Sequence, residues 1–585
     1  MVFAPVRSAI VQCASFWRRR AAYFGMSGPA ECAAAASLFE IMIVLRIVNI
    51  IGYRFDADEP QHLHVIWGWA HGLVQYRDLF DNHMPLFQIM LAPIFGLIGD
   101  RASDLYWMRF ALLPMYFVAA WCIYRIGTLL FSRRVGVWAV ILAGSYPQYH
   151  LTSLEFRTDN VWAPLWLLCL TVLIGGALTV RRSLAAGFLL GLCFAVSMKS
   201  TLFLLSMLVA APITLFLVGR DKLGQSWTDL AQSSAAFLLS MLMAPAAVMI
   251  FFALKGIWPE FRYCVFDYNI LGYSIAPGRD STRFIFVPLI AFAFVLYGAR
   301  LIVRAALDPA LAFRRGFLLL TCGFYLPALY SFWVLRTPQD YLPYHQLAFV
   351  FYTPAILAIS NRLGTCNLGV GQVFRRVPLP AFIVLLSFCS LLSTRLLSKH
   401  TTKTETNLLR GILRLTNPGD YVFDCVGETI FRQRCCRPVF EDIALELIRR
   451  RVMSDDVARR CVETRTCVAV IMGRTPDNVT KFLKQNYVPV GHELRVAGAF
   501  LKRAQPNSSR MDFDVVIPAS YEIIARGVQV RGLLDGTPYQ GARFLEPGRH
   551  TFVQKSPAKT LVLLWAQAVD RNFTPFKKGG LYFSG

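Results

Sequence analysis

Between about residue 33 and about residue 397 the sequence is a succession of apolar runs, each near the roughly 17–25 residues that a helix needs to cross a bilayer. A backbone in lipid must satisfy its own polar groups, so runs of this kind are read as helices. Composition agrees: the 585 residues are 55% hydrophobic and only 16% charged, where soluble chains carry roughly 25% charged residues. The expected spans are 33–52, 104–131, 135–151, 161–179, 184–198, 200–219, 230–254, 283–303, 316–335, 344–360 and 377–397. The chain is read as a polytopic α-helical membrane protein with about 11 spans and at most about 13.

Charge placement orients these spans. One alternate set of loops holds the arginines: Arg133 and Arg134; Arg181 and Arg182; Arg220 with Lys222; Arg304, Arg314 and Arg315; Arg362, Arg375 and Arg376. Loops of that kind lie in the cytoplasm. The net charge of +24 is spread through them rather than gathered into a basic patch interleaved with aromatics, so no nucleic-acid partner is expected. Residues 1–32 lack the order of a cleavable signal and are expected to form a cytoplasmic tail. The apolar run from Leu86 to Gly99 is short and contains Pro93. Such runs are more often interfacial than spanning, and leaving it on the outer surface keeps the arginine loops inside. The helix expected before it, with Trp67 and Trp69, suits the membrane interface.

This topology puts everything after the last span outside the cytoplasm, as in a protein of the bacterial inner membrane. Residues 33–397 form the membrane domain. In 398–505, strand-like runs such as "TCVAVIMG" alternate with helical ones such as "EDIALELIRRR", the pattern of an α/β unit. Residues 506–585 read as strands punctuated by "LLDGTP" and "EPGRH", a β-rich, sandwich-like domain. In an oxidising compartment Cys461 with Cys467, and Cys425 with Cys435 or Cys436, are candidate disulfides, leaving at least one thiol over.

The same topology gathers distant polar loops at the outer face. "DADEPQH" follows the first span and offers Asp58, whose carboxylate at a bilayer boundary suits a general base; the plain alternative is a helix cap. "EFRTDN" presents Arg157 and Asp159 at the end of another span. Two carboxylates from separate loops can bind a divalent cation, or one can orient the other. Lys199 in "MKST" interrupts the apolar stretch 184–219. An ammonium at bilayer depth costs about 2.5–3.5 kcal/mol and so faces a cavity or an anion, unless it snorkels from a hairpin tip. "RTPQDYLPYH" adds Arg336, a phosphate-pairing group, with Gln339 and Tyr341 for hydroxyls or a sugar face. An outer-face cleft of this make-up suits a substrate with both a phosphate and a lipid tail.

These motifs, in this order, resemble the integral-membrane glycosyltransferases that use polyprenyl-phosphate sugars, the C-type glycosyltransferase fold. Within it, the chain is most similar to bacterial relatives of protein O-mannosyltransferases and of the lipid A aminoarabinose transferase. The resemblance covers roughly residues 40–360 and rests on Asp58-Glu59 in the first outer loop, "YRDLF" followed by His83-Met84-Pro85-Leu86, the "RxD" of Arg157 and Asp159, and "GFLLGLCFAVSMK" ending at Lys199. It implies that a sugar moves from a polyprenyl-phosphate donor to an envelope glycolipid, polysaccharide or protein. Asp58 would be the base and Asp159 its orienting or ion-binding partner. Glu59, His83, Arg157, Lys199, Arg336, Gln339 and Tyr341 would hold substrate. Relatives differ on metal use, so a divalent cation is possible, and no ligand set in the sequence identifies one. The alternative from a different class is a transporter or lipid flippase, which predicts polar residues lining a pathway through both leaflets and internal repeats; the polar groups cluster at one face and no repeat is visible.

Overall fold

The computed structural model describes residues 15–224, 226–275, 283–306, 308–332, 337–365, 374, 377–397, 402–491, 493–503, 508–555 and 560–576. These group into two compact units: Met1–Arg54, Asn82–Phe87 and Tyr106–Thr401 in the first; Phe55–Asp81, Gln88–Leu105 and Thr402–Gly585 in the second.

The first unit is helical, and each of the eleven expected spans coincides with a helix or a pair of consecutive helices. Among the described residues five are long and apolar enough to cross a membrane by length and composition alone: Pro29–Gly52, Asp104–Leu130, Ser200–Val218, Trp227–Leu254 and Pro338–Thr365. Local chemistry sets their ends. Ser132 and Thr179 accept hydrogen bonds from the backbone N–H groups of Val135 (3.2 Å) and Arg182 (3.3 Å), and Ser226 with Asp229 closes a reciprocal capping box. Helices Val180–Val196 and Trp227–Leu254 lie so close that a Cβ on Gly187 or Gly191 would collide with the carbonyls of Phe237 or Met241. Small residues one turn apart allow this approach where lipid offers no hydrophobic drive.

In the second unit the strands are β1 (Val422–Phe423), β2 (Val468–Val470), β3 (Tyr487–Pro489), β4 (Leu494–Leu501), β5 (Arg510–Val515), β6 (Ala519–Ala525), β7 (Gly532–Leu534), β8 (Thr537–Pro538), β9 (Arg543–Leu545), β10 (Gly548–Gln554) and β11 (Leu561–Trp565). One sheet has the order β1-β2-β4-β11-β6-β9, with β3 also on β4; a second runs β5-β10-β7-β8. Among the strand pairs of the described residues, β1 with β2 is parallel and the others are antiparallel. The larger sheet takes strands from both sides of residue 505, because β11 inserts between β4 and β6. Leu408, Ile412 and Leu415, on one face of the amphipathic helix Lys403–Leu415, pack on its core with Val422, Val468, Val496 and Val562.

The segment after the first membrane helix contributes helix Asp58–Ala70 and most of helix Leu86–Ile98 to this unit. Trp67, which the sequence reading placed at a membrane interface, is 5% exposed and packs with His64 and His71. The expected disulfides are not formed: Cys425, Cys435, Cys436, Cys461 and Cys467 are all free thiols. Cys461, on helix Val457–Glu463, meets Cys435 (Sγ–Sγ 3.6 Å) rather than Cys467, and Cys425 lies against the Thr475 hydroxyl (3.1 Å).

Candidate active site

In the membrane unit the chemistry gathers where helices begin. Asp159 is the first residue of helix Asp159–Ile174, where a carboxylate is favoured by the helix dipole. Lys199 immediately precedes Ser200–Val218. Asp340 lies in the short 3-10 turn Pro338–Tyr341, where its carboxylate accepts hydrogen bonds from the Thr337 backbone N–H (2.8 Å) and hydroxyl (3.2 Å). Lys199 Nζ joins all three segments: it is 3.0 Å from Asp159 Oδ1 and 2.6 Å from Asp340 Oδ1, with the lysine side chain 13% exposed and the carboxylates 2% and 1%.

Around this chain of charges, Arg157 Nε is 3.4 Å from Asp159 Oδ2, and His83 lies within electrostatic range of the same carboxylate. Gln339 Nε2 donates to Glu155 Oε2. Asn160 Nδ2 donates to the carbonyls of Thr152 (3.0 Å) and Glu155 (2.7 Å), fixing the loop that carries Glu155 and Arg157. Arg46, buried in the middle of helix Pro29–Gly52, donates to the Ser153 hydroxyl (2.8 Å) and stacks on the Tyr116 ring (3.6 Å). Arg109 donates to the carbonyls of Ile50, Tyr53 and Arg54, so it seals the exit of the first helix. Aromatic rings pack alongside: Trp166 stacks on Phe203 at 4.1 Å, Trp162 meets the same ring edge-on, and Tyr325 donates from its hydroxyl to the Asp340 carbonyl (2.6 Å).

Asp159, Arg157, Lys199, Gln339 and His83 therefore belong to one neighbourhood. Tyr341 donates to the Tyr330 hydroxyl (3.1 Å) on an exposed face. Arg336 lies outside the described residues. Glu155 is a member that the sequence does not single out, and Asp340, within the "RTPQDYLPYH" stretch, has no role that the sequence assigns. An aspartate in a "TPQD" turn reads as a cap, and it is one here; its second role depends on Lys199, which lies 141 positions away in sequence. Lys199 is itself not an open cation, because a phosphate has to share it with two carboxylates. Its ammonium also occupies the place between Asp159 and Asp340 that a divalent cation would take, so these two carboxylates as arranged do not fit a metal. Among the described residues no group of three or more His, Cys, Asp or Glu side chains is arranged to hold one.

The second unit places Asp58 at the first position of helix Asp58–Ala70, with Oδ1 4.0 Å from Arg474 Nη1; the two side chains are 28% and 38% exposed. Glu59 is fully buried and accepts the Asp56 backbone N–H (2.7 Å), so its carboxylate serves the turn.

Three comparisons bear on this arrangement. Residues 82–253 match the sequence profile of the family described as dolichyl-phosphate-mannose-protein mannosyltransferase; the matched segment includes His83, Arg157, Asp159 and Lys199. A sequence search of curated proteins finds no match. Among solved structures, ArnT from Cupriavidus metallidurans bound to undecaprenyl phosphate superposes with a TM-score of 0.53 at 14% identity, covering 79% of this chain and 97% of that one. The oligosaccharyltransferase of Archaeoglobus fulgidus in the apo form gives 0.46 at 12% identity, covering 81% and 73%. The chain has an ArnT-like fold and, with its mannosyltransferase-like segment, resembles the C-type-fold integral-membrane glycosyltransferases.

Proposed function

We propose that the protein is a membrane glycosyltransferase that moves a sugar from a polyprenyl-phosphate donor to an envelope acceptor, a glycolipid, polysaccharide or protein, at the outer face of a bacterial inner membrane. The observation that carries this reading is the buried Asp159–Lys199–Asp340 chain at the ends of membrane helices. A charge cluster at that depth is costly and marks a functional site. Its setting in an ArnT-like fold, with a mannosyltransferase-like segment that includes Asp159, Lys199 and their neighbours His83 and Arg157, supports the class.

The chemistry is a single displacement. The acceptor oxygen attacks the anomeric carbon, the bond from that carbon to the phosphate oxygen breaks with its electron pair leaving on the phosphate, and the anomeric configuration inverts. A phosphate is already a stable leaving group, so the protein has to remove the acceptor proton and steady the charge that develops on the phosphate. Asp58 takes the proton. Lys199, Arg157 and His83 supply the positive field for the phosphate, and Asp159 holds Lys199 and Arg157 in place. Gln339 and Tyr341 offer donors for sugar hydroxyls.

The test is transfer by the purified, reconstituted protein from a panel of polyprenyl-phosphate sugars, with Asp58→Asn and Lys199→Met beside the wild type. Transfer by the wild type and its loss in both variants is expected. No transfer from any lipid-phosphate donor would end this reading.

A further inference from the structure

The helix that starts with Asp58 is held by residues far away in sequence. His64 Nδ1–H donates to the Ile430 carbonyl (2.7 Å). Gly427, at φ +102°, lies against it so closely that an added Cβ would be 3.0 Å from His64 Cβ and 3.4 Å from Gln61 Cα. Phe431 stacks on Phe95 at 6.4 Å between centroids, and Arg437 donates to the Tyr76 carbonyl. Ile430 adopts φ +48°, a conformation that a β-branched residue accepts only when its surroundings impose it.

The same loop reaches Arg474 by a second route. Arg474 sits in the turn Met472–Thr475, closed by the Met472 N–H donating to Thr475 Oγ1 (3.1 Å), and that hydroxyl is 3.1 Å from Cys425 Sγ. Cys425 opens the segment that carries Gly427 and Ile430. One loop therefore ties down both the helix that carries Asp58 and the turn that carries Arg474. At 4.0 Å the guanidinium is too far from Asp58 for a direct hydrogen bond but near enough to act through its field. It can steady the carboxylate's charge and direction without blocking the oxygen that receives a proton.

From this we infer that Arg474, contributed by the segment beyond the membrane helices, is a positioning residue for Asp58. The inference rests on the reading of Asp58 as the base. It goes beyond that reading by giving the C-terminal segment a direct part in the chemistry.

The test uses the full-length protein in membranes or detergent. Arg474→Ala should lower kcat about 10–100-fold with the donor KM within about twofold, as a misdirected base does. Arg474→Lys should recover most of the rate, since a field at this distance needs a charge and not a fork. An Arg474→Ala enzyme with wild-type kcat, or a Lys variant as slow as the Ala variant, would overturn the inference while leaving the proposed function intact.

A second readout needs no activity. In an Asp58→Cys, Cys389→Ser background, alkylation of the new thiol by neutral iodoacetamide at pH 7 should slow about 3–10-fold when Arg474 becomes Ala, because a nearby cation favours the thiolate. The parent without the Asp58→Cys change sets the background. An unchanged alkylation rate would overturn the inference even if no transfer is found with any donor.

Discussion

Lys199 is the residue on which the membrane site turns, because its ammonium compensates two carboxylates that are almost wholly buried. Removing one partner of such a group leaves uncompensated charge, at a cost of about 3–5 kcal/mol. Lys199→Met is therefore expected to lower the thermal midpoint in detergent, and to lower transfer by more than about 100-fold. Adding Asp159→Asn and Asp340→Asn to the same chain should recover the midpoint but not the transfer, which separates the structural role of the cluster from its chemical one. Lys199 was legible in the sequence because a cation that interrupts a long apolar stretch has few inexpensive explanations. Asp340 was not. A loop carboxylate has many inexpensive explanations, and only the packing of the helices brings this one to the lysine.

At the scale of an element, helix Asp58–Ala70 shows what a short stretch of sequence leaves open. Its tryptophans suit a bilayer interface, yet Leu63, Val65, Ile66 and Trp67 are buried within the second unit, each such burial contributing about 1.5–3 kcal/mol. Nothing in 13 consecutive residues says whether lipid or a protein loop more than 350 positions later will cover them. The covering loop permits two tests. Gly427→Ala places a Cβ at an unfavourable φ and against His64, so it should cost about 1–3 kcal/mol and render residues 55–81 more sensitive to limited proteolysis.

The second test uses pH. Burial, with the neighbouring Asp424 carboxylate, pushes Glu428 up to about 7 from an ordinary value of 4.5. An acid whose folded pKa is raised contributes stability below about pH 4.5 that is lost as the pH rises to about 7. Glu428→Gln should thus match the wild type near pH 4.5 and exceed it at pH 7–8 by on the order of 2 kcal/mol, read from thermal midpoints across that range. Two neighbours act in the opposite direction. Burial holds His64 below its usual value, so its contribution is lost as the pH falls below about 6.5. Asp424 works against its own burial but is held low by Arg434 and His64, so its contribution is lost at still lower pH. The Gln variant should retain that acid-side decline.

For the whole molecule, the second unit draws together Phe55–Asp81 and Gln88–Leu105, which follow the first membrane helix, with Thr402–Gly585. Deletion of residues 402–585 should therefore do more than remove an appendage. The helix that carries Asp58 would lose the cover of its buried face, and the truncated chain is expected to accumulate poorly in membranes and to transfer no sugar, measured by membrane-fraction yield and by the donor assay.

The sequence by itself determined that the chain is a helical membrane protein, where its long apolar helices lie, and that Asp58, Asp159 and Lys199 merit attention. Those are local properties: the cost of a polar backbone or an isolated charge in lipid is written into each window of residues. What only the tertiary structure decided is partnership. Lys199 with Asp340, His64 with Ile430, Asp58 with Arg474, and β11 between β4 and β6 are all long-range choices. Each depends on which surfaces the packed chain brings together, and no local pattern encodes that.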